Sequence, residues 1–305
     1  MNGGRPRILV TGRDGQVARS LRERAAAHGD FDLVFAGRPD LDLARPGTVA
    51  EAVVGQRPDL VVSAAAYTAV DQAEREVEAA MAVNAVAPGE IARGAALLGV
   101  PVIHLSTDYV FDGTKRAPYA ESDPAVPLGV YGHSKLLGEQ AVARATANHA
   151  VLRTAWLYGP FGRNFLRTML RLAQEREVVR IVDDQIGNPT STLDLADAIL
   201  AIARNLLRGD DPALRGVFHL AAGGSASWAD FAEEIFRCSL SFGGPAAAVE
   251  RITTTDYPTP VRRPADSRLD CARVLAFHGV GLPHWKASVR PAVEAACVAM
   301  KAGTA

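Results

Sequence analysis

Three residues of this chain have the types and spacing to move a proton together: Thr107, which ends the apolar run from Pro101 to Ser106, and Tyr131 and Lys135, four apart after Pro127. Residues four apart on a helix share a face, so the spacing predicts the Lys135 ammonium near the Tyr131 phenol, favouring its ionised form. A phenol with an ordinary pKa of ~10 becomes a useful acid near neutrality only with such help. Thr107, delivered from a neighbouring strand end, would hydrogen-bond the same substrate oxygen. A Tyr and Lys pair at this spacing is common on exposed helices. It gains meaning here from the Ser-Thr strand end and from a glycine turn earlier in the chain.

That turn is Thr11-Gly12-Arg13-Asp14-Gly15-Gln16-Val17-Ala18, directly after a short apolar run and opening a helical pattern. Amides at a helix N-terminus hold a pyrophosphate, and glycine lets it approach the main chain. Gly12, Asp14, Gly15, Gln16 and Val17 are therefore candidate cofactor contacts, with Ala18 where a third glycine is usual. A NAD site commonly ends its second strand in Asp or Glu, some 20 residues on, to hold the adenosine ribose. Here the strand Asp32 to Ala36 runs into Gly37-Arg38, and an arginine there can pair with a 2′-phosphate. NADPH is the expected cofactor, with NADH as the alternative; a merely solvated Arg38 is the bland reading. Asp42 and Leu43 follow where an adenine and its ribose could rest. Ala64, Ala65 and Ala66, with Tyr67 and Thr68, come immediately after another strand and leave room for the cofactor along the carboxyl edge of a sheet. Alanine serves helix-to-sheet packing equally well.

The elements that must position these residues are legible as an alternation. Short β-branched runs at Arg7 to Thr11, Asp32 to Ala36, Leu60 to Ala64, Pro101 to Ser106, Val151 to Trp156 and Val217 to Ala221 alternate with helical patterns. The helices are expected at Val17 to His28, Gly47 to Gly55, Ala69 to Leu98 with an interruption near Pro88, Val130 to Ala147 and Leu193 to Leu207. The nearly continuous apolarity of the strands suits a parallel sheet covered on both faces. After Trp156 the texture changes, with a helix around Phe165 to Glu177 and a Pro-rich stretch from Tyr257 to Pro264. The expected fold is α/β: a Rossmann-type doubly wound parallel sheet with a smaller, discontinuous α/β substrate-binding domain. The expected division is 1–156 with 190–222 returning to the sheet, and 157–189 with 223–305 as the second lobe.

Composition bounds the rest. The 305 residues carry 33 Lys plus Arg against 34 Asp plus Glu, a net charge of −1 with histidine neutral, which gives no bulk attraction for nucleic acid. With 48% hydrophobic and 22% charged residues, disorder, coiled coil and collagen-like fibre are excluded. Cys238, Cys271 and Cys297 are an odd, widely spaced set that forms neither a disulfide framework nor a metal knuckle. No apolar run reaches the ~18 residues of a membrane span, so a soluble, cytoplasmic protein is expected. His104 and His219 lie on strands and read as packed core. His133 points away from the Tyr131 and Lys135 face and receives no role. No Gly-x-Ser-x-Gly run is present, which disfavours a hydrolase.

With these motifs in place, the chain resembles the extended, sugar-nucleotide branch of the short-chain dehydrogenase/reductase superfamily, and within it the dTDP-4-dehydrorhamnose reductase family. Similar segments run along nearly the whole length: Gly15-Gln16-Val17, Ala64 to Asp71, Ser106 to Gly113, Pro127 to Gly132, Ser134-Lys135, Leu152 to Trp156, Asn164-Phe165, Asp184 to Thr190, Tyr257 to Pro260 and Arg263-Pro264. The resemblance implies NADPH-dependent reduction of a 4-keto group on a dTDP-linked 6-deoxyhexose, with Tyr131 giving the proton and Lys135 also holding the nicotinamide ribose. Thr107 would polarise the carbonyl. Asp108 and Trp156 match positions that contact the sugar nucleotide, the indole offering a flat apolar wall; core filling is the plainer role for Trp156. Arg263, with Arg262 beside it, would meet the diphosphate, unless both are merely solvated.

Some members of this family are described as joining subunits through magnesium held by acidic side chains. The matching places here are Ser20 and Leu193, which supply no carboxylate; no bound Mg²⁺ is expected, and a monomer is favoured over a metal-bridged dimer. A dehydratase or epimerase of the superfamily would share Thr107, Tyr131 and Lys135, but a dehydratase needs an acid pair after the threonine, where this chain has Asp108 and Tyr109. A non-catalytic binding or regulatory subunit is opposed by the intact trio. The keto-sugar stereochemistry, including a branched deoxysugar made from the same intermediate, stays open.

Overall fold

The computed structural model describes residues 4–301. The chain runs β1 (Arg7–Thr11), α1 (Gln16–His28), β2 (Asp32–Ala36), α2 (Val49–Gln56), β3 (Leu60–Ser63), α3 (Val70–Ala73), α4 (Val77–Met81), α5 (Ala87–Leu98), β4 (Val102–Thr107), α6 (Val130–Ala145) and β5 (His149–Thr154). It continues with β6 (Leu157–Tyr158), α7 (Phe165–Glu175), β7 (Val178–Val182), β8 (Ile186–Gly187), β9 (Thr190–Ser191), α8 (Thr192–Arg208) and β10 (Gly216–His219). The last elements are β11 (Ala226–Ser227), α9 (Trp228–Ser241), β12 (Ala248–Ile252), α10 (Ala272–His278) and α11 (Trp285–Lys301).

Six strands pair in the order β10-β5-β4-β3-β1-β2, and every pairing in this sheet is parallel. The order reverses between β1 and β3, which opens a crevice at the carboxyl ends of those two strands, the place where open α/β sheets bind ligands. Burial explains the unbroken apolar runs. Ile8 and Val10 of β1 face one core with Leu60 and Val62 of β3, whereas Leu9 and Val61 face another on the opposite side. Each such side chain contributes about 1.5–3 kcal/mol of transfer free energy, so both faces of the sheet are committed to helices.

The expected Ala69 to Leu98 helix is broken differently from its reading. The interruption lies at Glu74–Glu76, between α3 and α4, and from Val77 the helical backbone runs on through a π turn over Ala82–Val86 into α5, with Pro88 in the turn that follows. Proline has no N–H to donate, and the wider turn just before it is where the helix accommodates that loss. The wider turn carries Asn84, fully buried, and such turns recur at functional sites.

Beside the sheet stands a second core built from Tyr158, Leu166 and Met169, from Phe231 and Ile235 of α9, and from Val289 and Val293 of α11. Two parallel strands absent from the sequence reading, β7 and β12, pair alongside it. Their alternating exposed and buried pattern is half-polar, so they lack the apolar run by which the central strands are recognised. α10 packs back on the sheet, with Val274 in the same core as Phe218.

Candidate active site

The carboxyl ends of β1, β3, β4 and β5 converge on the crevice. At β1, Gly12 takes φ +94°, a conformation that glycine adopts without strain, and its amide donates to the Ala36 carbonyl at 2.6 Å. Gly15 precedes α1 in extended backbone with no side-chain cap, and a side chain there would meet nothing within 4 Å. The first-turn amides are thus open to an anion, as the glycine spacing requires. Asp14 is exposed, Gln16 half-buried and Val17 buried against the sheet. Thr11 was not foreseen to act through its side chain: its hydroxyl accepts from the amides of Ala64 and Ala65 at 3.0 and 3.1 Å. It thereby fixes the alanine stretch opposite the glycine turn, while Thr68 beyond it is exposed.

Arg38 stands exposed past β2. Arg13, from the glycine turn, crosses the same strand end; its Nε and Nη1 donate to the carbonyls of Phe35 and Arg38 at 3.4 Å each, and its Nη2 pairs with Asp40. Two arginines, Arg13 and Arg38, therefore stand together at the carboxyl end of β2. Of the two adenine-side candidates, Asp42 accepts from the Ala44 amide at 3.1 Å, and Leu43 is buried in the core near Ala65.

The catalytic candidates come together from two elements. Thr107 ends β4 and is 6% exposed; its hydroxyl donates to Asp108 Oδ1 at 3.0 Å and accepts from the Tyr109 amide at 3.2 Å. Tyr131, in the first turn of α6, meets Tyr109 edge to face with ring centroids 5.9 Å apart. Gly132 permits this approach, since a β-carbon there would lie 2.1 Å from the Tyr109 carbonyl. Burial pushes the Tyr131 phenol up to about 12, the nearby Thr107 hydroxyl pulls the other way, and the Asp108 carboxylate adds to the rise. Lys135 is 3% exposed, and its ammonium reaches across to the Leu105 carbonyl at 2.6 Å and His104 Nε2 at 3.5 Å. Burial lowers it to about 8, against the pull of Glu139. The depression of the phenol that the i,i+4 spacing suggested is therefore not present: the ammonium is drawn toward β4.

His104 is fully buried and held neutral by desolvation, its Nδ1 3.0 Å from the Ser63 hydroxyl; His219 is likewise core, 2.9 Å from the Tyr119 carbonyl, and His133 is exposed. Asn84, which carried no sequence motif of its own, bonds to both the amide and the carbonyl of Tyr67 and reaches Ser134 Oγ at 3.1 Å. It ties the alanine stretch to α6.

Asp108 is 2% exposed; desolvation raises it to about 6 against the opposing hydroxyls of Ser267 and Thr107. Its Oδ2 is buried without a hydrogen-bond partner of normal geometry, unusual for a carboxylate and suited to a ligand hydroxyl. Trp156 takes φ +46°, a strained value for a non-glycine residue. Its indole stacks on Trp228, unforeseen from sequence, and Phe165 lies 4.7 Å from the latter ring. Arg263 pairs with Asp71 at 3.0 Å while its Nε is buried and unpartnered. With Phe165, Trp228, Tyr257 and Thr259 it lines a cavity of about 610 Å³ in the second lobe. Arg262 is exposed. The arrangement joins a crevice with open helix-terminal amides, a buried phenol beside a threonine hydroxyl, and an aromatic and cationic cavity.

Of the two positions that match a metal bridge, Ser20 is fully buried with its hydroxyl donating to Thr192 at 2.8 Å, and Leu193 is half-buried. Among the described residues no cluster of His, Cys, Asp and Glu could hold a metal ion, and no helix is long and apolar enough to cross a membrane.

Residues 6–297 match the family model described as RmlD substrate binding domain. A curated dTDP-4-dehydrorhamnose reductase from Sinorhizobium fredii is 48% identical over 95% of this chain and 97% of its own. A probable dTDP-4,6-dihydroxy-2-methyloxan-3-one 4-ketoreductase from Streptomyces antibioticus is 41% identical over 94% of each. Among solved structures, a dTDP-4-dehydrorhamnose reductase from Bacillus anthracis in complex with NADP superposes with a TM-score of 0.87 at 32% identity, covering 95% of this chain and 99% of that one.

Proposed function

The chain belongs to the RmlD substrate binding domain family, and from that membership we propose the reaction: NADPH-dependent reduction of the 4-keto group of dTDP-4-dehydro-β-L-rhamnose to dTDP-L-rhamnose. The protein is an NADP-dependent oxidoreductase of the dTDP-4-dehydrorhamnose reductase type. The observation that carries the reading is the convergence of Thr107, Tyr131 and Lys135 beside an uncapped helix N-terminus at the switch point of the sheet.

The residues present suit the cofactor. Gly12, Gly15 and the first-turn amides of Gln16 and Val17 would hold its pyrophosphate, with the Asp14 main chain in the same turn. Arg38 with Arg13 would meet the 2′-phosphate, Asp42 and Leu43 the adenosine, and Ala64 to Ala66 with Thr68 the nicotinamide half. Lys135 would hold the nicotinamide ribose. When bound, NADPH supplies the hydride that the keto carbon accepts.

The chain's own part is proton delivery. Tyr131 Oη, kept protonated by burial, donates to the carbonyl oxygen as charge develops there. Thr107 Oγ1 hydrogen-bonds the same oxygen and orients it. The Lys135 ammonium stabilises the tyrosinate that forms. Asp108, with an unused buried oxygen, is suited to a sugar hydroxyl; Trp156 offers its ring to the sugar and Arg263 its free Nε to the diphosphate.

Residues 157–189 and 223–305 form the proposed substrate lobe, except that α10 returns to pack on the sheet, with 1–156 and 190–222 the nucleotide lobe. A cytoplasmic monomer is the proposed form, supported by three free thiols and by Ser20 and Leu193 in place of carboxylates. A second reading, a 4-ketoreductase making another dTDP-deoxysugar, draws on the 41% identity to the Streptomyces relative.

Purified protein mixed with dTDP-4-keto-L-rhamnose should consume NADPH, followed by absorbance, and yield dTDP-L-rhamnose by NMR. No oxidation of NADPH or NADH would sink the reductase reading, and a different sugar product would favour the second.

A further inference from the structure

The sheet end beneath the site contains a buried carboxylate that the proton-transfer chemistry does not itself use. Glu139 lies on α6 one turn beyond Lys135 and is 4% exposed. Its two oxygens accept the Arg153 guanidinium from β5 side-on, Nε to Oε1 at 3.0 Å and Nη2 to Oε2 at 2.7 Å. The Ser106 hydroxyl of β4 donates to Oε1 as well. Ser106 and Arg153 are register partners across β4 and β5, followed in the same register by Thr107 and Thr154. One carboxylate therefore connects three elements, and each carries a site residue within four positions of the contact: Thr107 after Ser106, Trp156 after Arg153, and Lys135 one turn before Glu139.

We propose that Glu139 is a positioning residue, a single buried carboxylate that locks α6, with Tyr131 and Lys135, to the ends of β4 and β5 and serves as counter-charge to the Lys135 ammonium.

The surroundings leave it little competition for that role. Lys135 faces neutral His104 and the Leu105 carbonyl from β4, Tyr131 on its own helix, and the amide of Asn84 through Ser134 from the π turn. From β5, Arg153 is engaged by Glu139, and His149 is turned to the Thr146 carbonyl at 2.7 Å. Asp108 acts on Tyr131. A bidentate arginine-carboxylate pair is stiff, so Glu139 is held in place and cannot swing away from the ammonium. The pair leaves one guanidinium nitrogen, Arg153 Nη1, buried without a partner. This is a cost in stability that a purely structural tie of two apolar side chains would avoid.

The inference rests on Lys135 acting as a charged group in the reaction proposed above, and its test separates the two ideas. The chain has four lysines, at 115, 135, 286 and 301, so lysine labelled with ¹³C at Cε gives a spectrum in which the buried Lys135 can be followed directly by NMR as pH is varied. Glu139→Gln should move the Lys135 titration down by about one pH unit, and the descending alkaline limb of kcat should move with it. Turnover at pH 8 should fall about fivefold, as the protonated fraction of Lys135 does, while the NADPH dissociation constant changes less than threefold. Because Glu139→Gln strands the Arg153 charge and can fail to fold, the neutral pair Glu139→Gln/Arg153→Met is made alongside. It removes both charges and should keep the lowered Lys135 titration in a folded protein. An unchanged Lys135 titration in the folded pair, with a loss of kcat that is the same at every pH, would overturn the proposal. A wild type that does not oxidise NADPH would defeat the reductase reading, and the NMR arm would still decide the role of Glu139.

Discussion

The indole of Trp156 lies face to face with that of Trp228, 3.5 Å between ring centroids and 3° from parallel. Trp156 follows β5 and Trp228 opens α9, so the stack joins the end of the nucleotide sheet to the second core. A positive φ at Trp156 persists because its surroundings hold it. Gly187 is one of them: a β-carbon there would stand 2.4 Å from the indole.

Gly187→Ala should therefore push the Trp156 ring out of its stack. We expect a loss of about 1–3 kcal/mol in stability, the usual cost of overpacking, and a rise of about tenfold in KM for the sugar nucleotide. Thermal melts and initial-rate kinetics check both, and an unaltered KM would remove Trp156 from the substrate wall.

Tyr131→Phe keeps the ring contact with Tyr109 and deletes the proton. Turnover should drop by about 10²–10⁴, with the NADPH dissociation constant nearly unchanged by fluorescence titration. Retained activity would mean that another group is the acid.

Asp108 supplies a pH signature. Its carboxyl is raised from 3.8 to about 6 by burial, so the folded state favours the neutral form. That contribution is fully present below about pH 4, and is lost as pH rises through about 6. By linkage it amounts to at most about 3 kcal/mol. Asp108→Asn should thus be more stable than wild type at pH 8, with the gap closing toward pH 4, while its KM for the sugar nucleotide rises. Equal melting temperatures of the two proteins at pH 8 would count against the raised carboxyl.

In the proposed reading, cofactor choice falls to Arg13 in the glycine turn and Arg38 past β2. Arg38→Ala and Arg13→Ala should each raise KM for NADPH about tenfold, the loss of a charge-assisted contact, and leave KM for NADH within about twofold. A loss shared equally between the two cofactors would place the arginines elsewhere than at the 2′-phosphate.

Ser20 and Leu193 bear on assembly. A hydroxyl and an apolar side chain are a poor ligand set for a hard divalent cation, so the mass from light scattering should be the same with magnesium or with chelator. A mass that doubles on adding magnesium would require ligands outside this pair.

The sheet, the glycine turn and the candidate trio of Thr107, Tyr131 and Lys135 are legible from the residues alone. Those features are written in local order: apolar runs of strand length, glycines at a fixed spacing, and a tyrosine and a lysine one helical turn apart. The sequence also carried the family, through segments spread along nearly the whole chain. What each group faces emerges only from packing. The i,i+4 spacing places Lys135 on the Tyr131 face, yet the ammonium is drawn to the Leu105 carbonyl, because a buried cation takes the nearest strong acceptor whatever its sequence distance. Trp228 and Arg13 carry no motif, and their partners lie 72 and 27 residues away, at Trp156 and Asp40. The half-polar strands β7 and β12 show no run because one of their faces meets water. Periodicity records how each segment meets solvent and core; which charge ends beside which other charge is settled when β4, β5 and α6 close on one another.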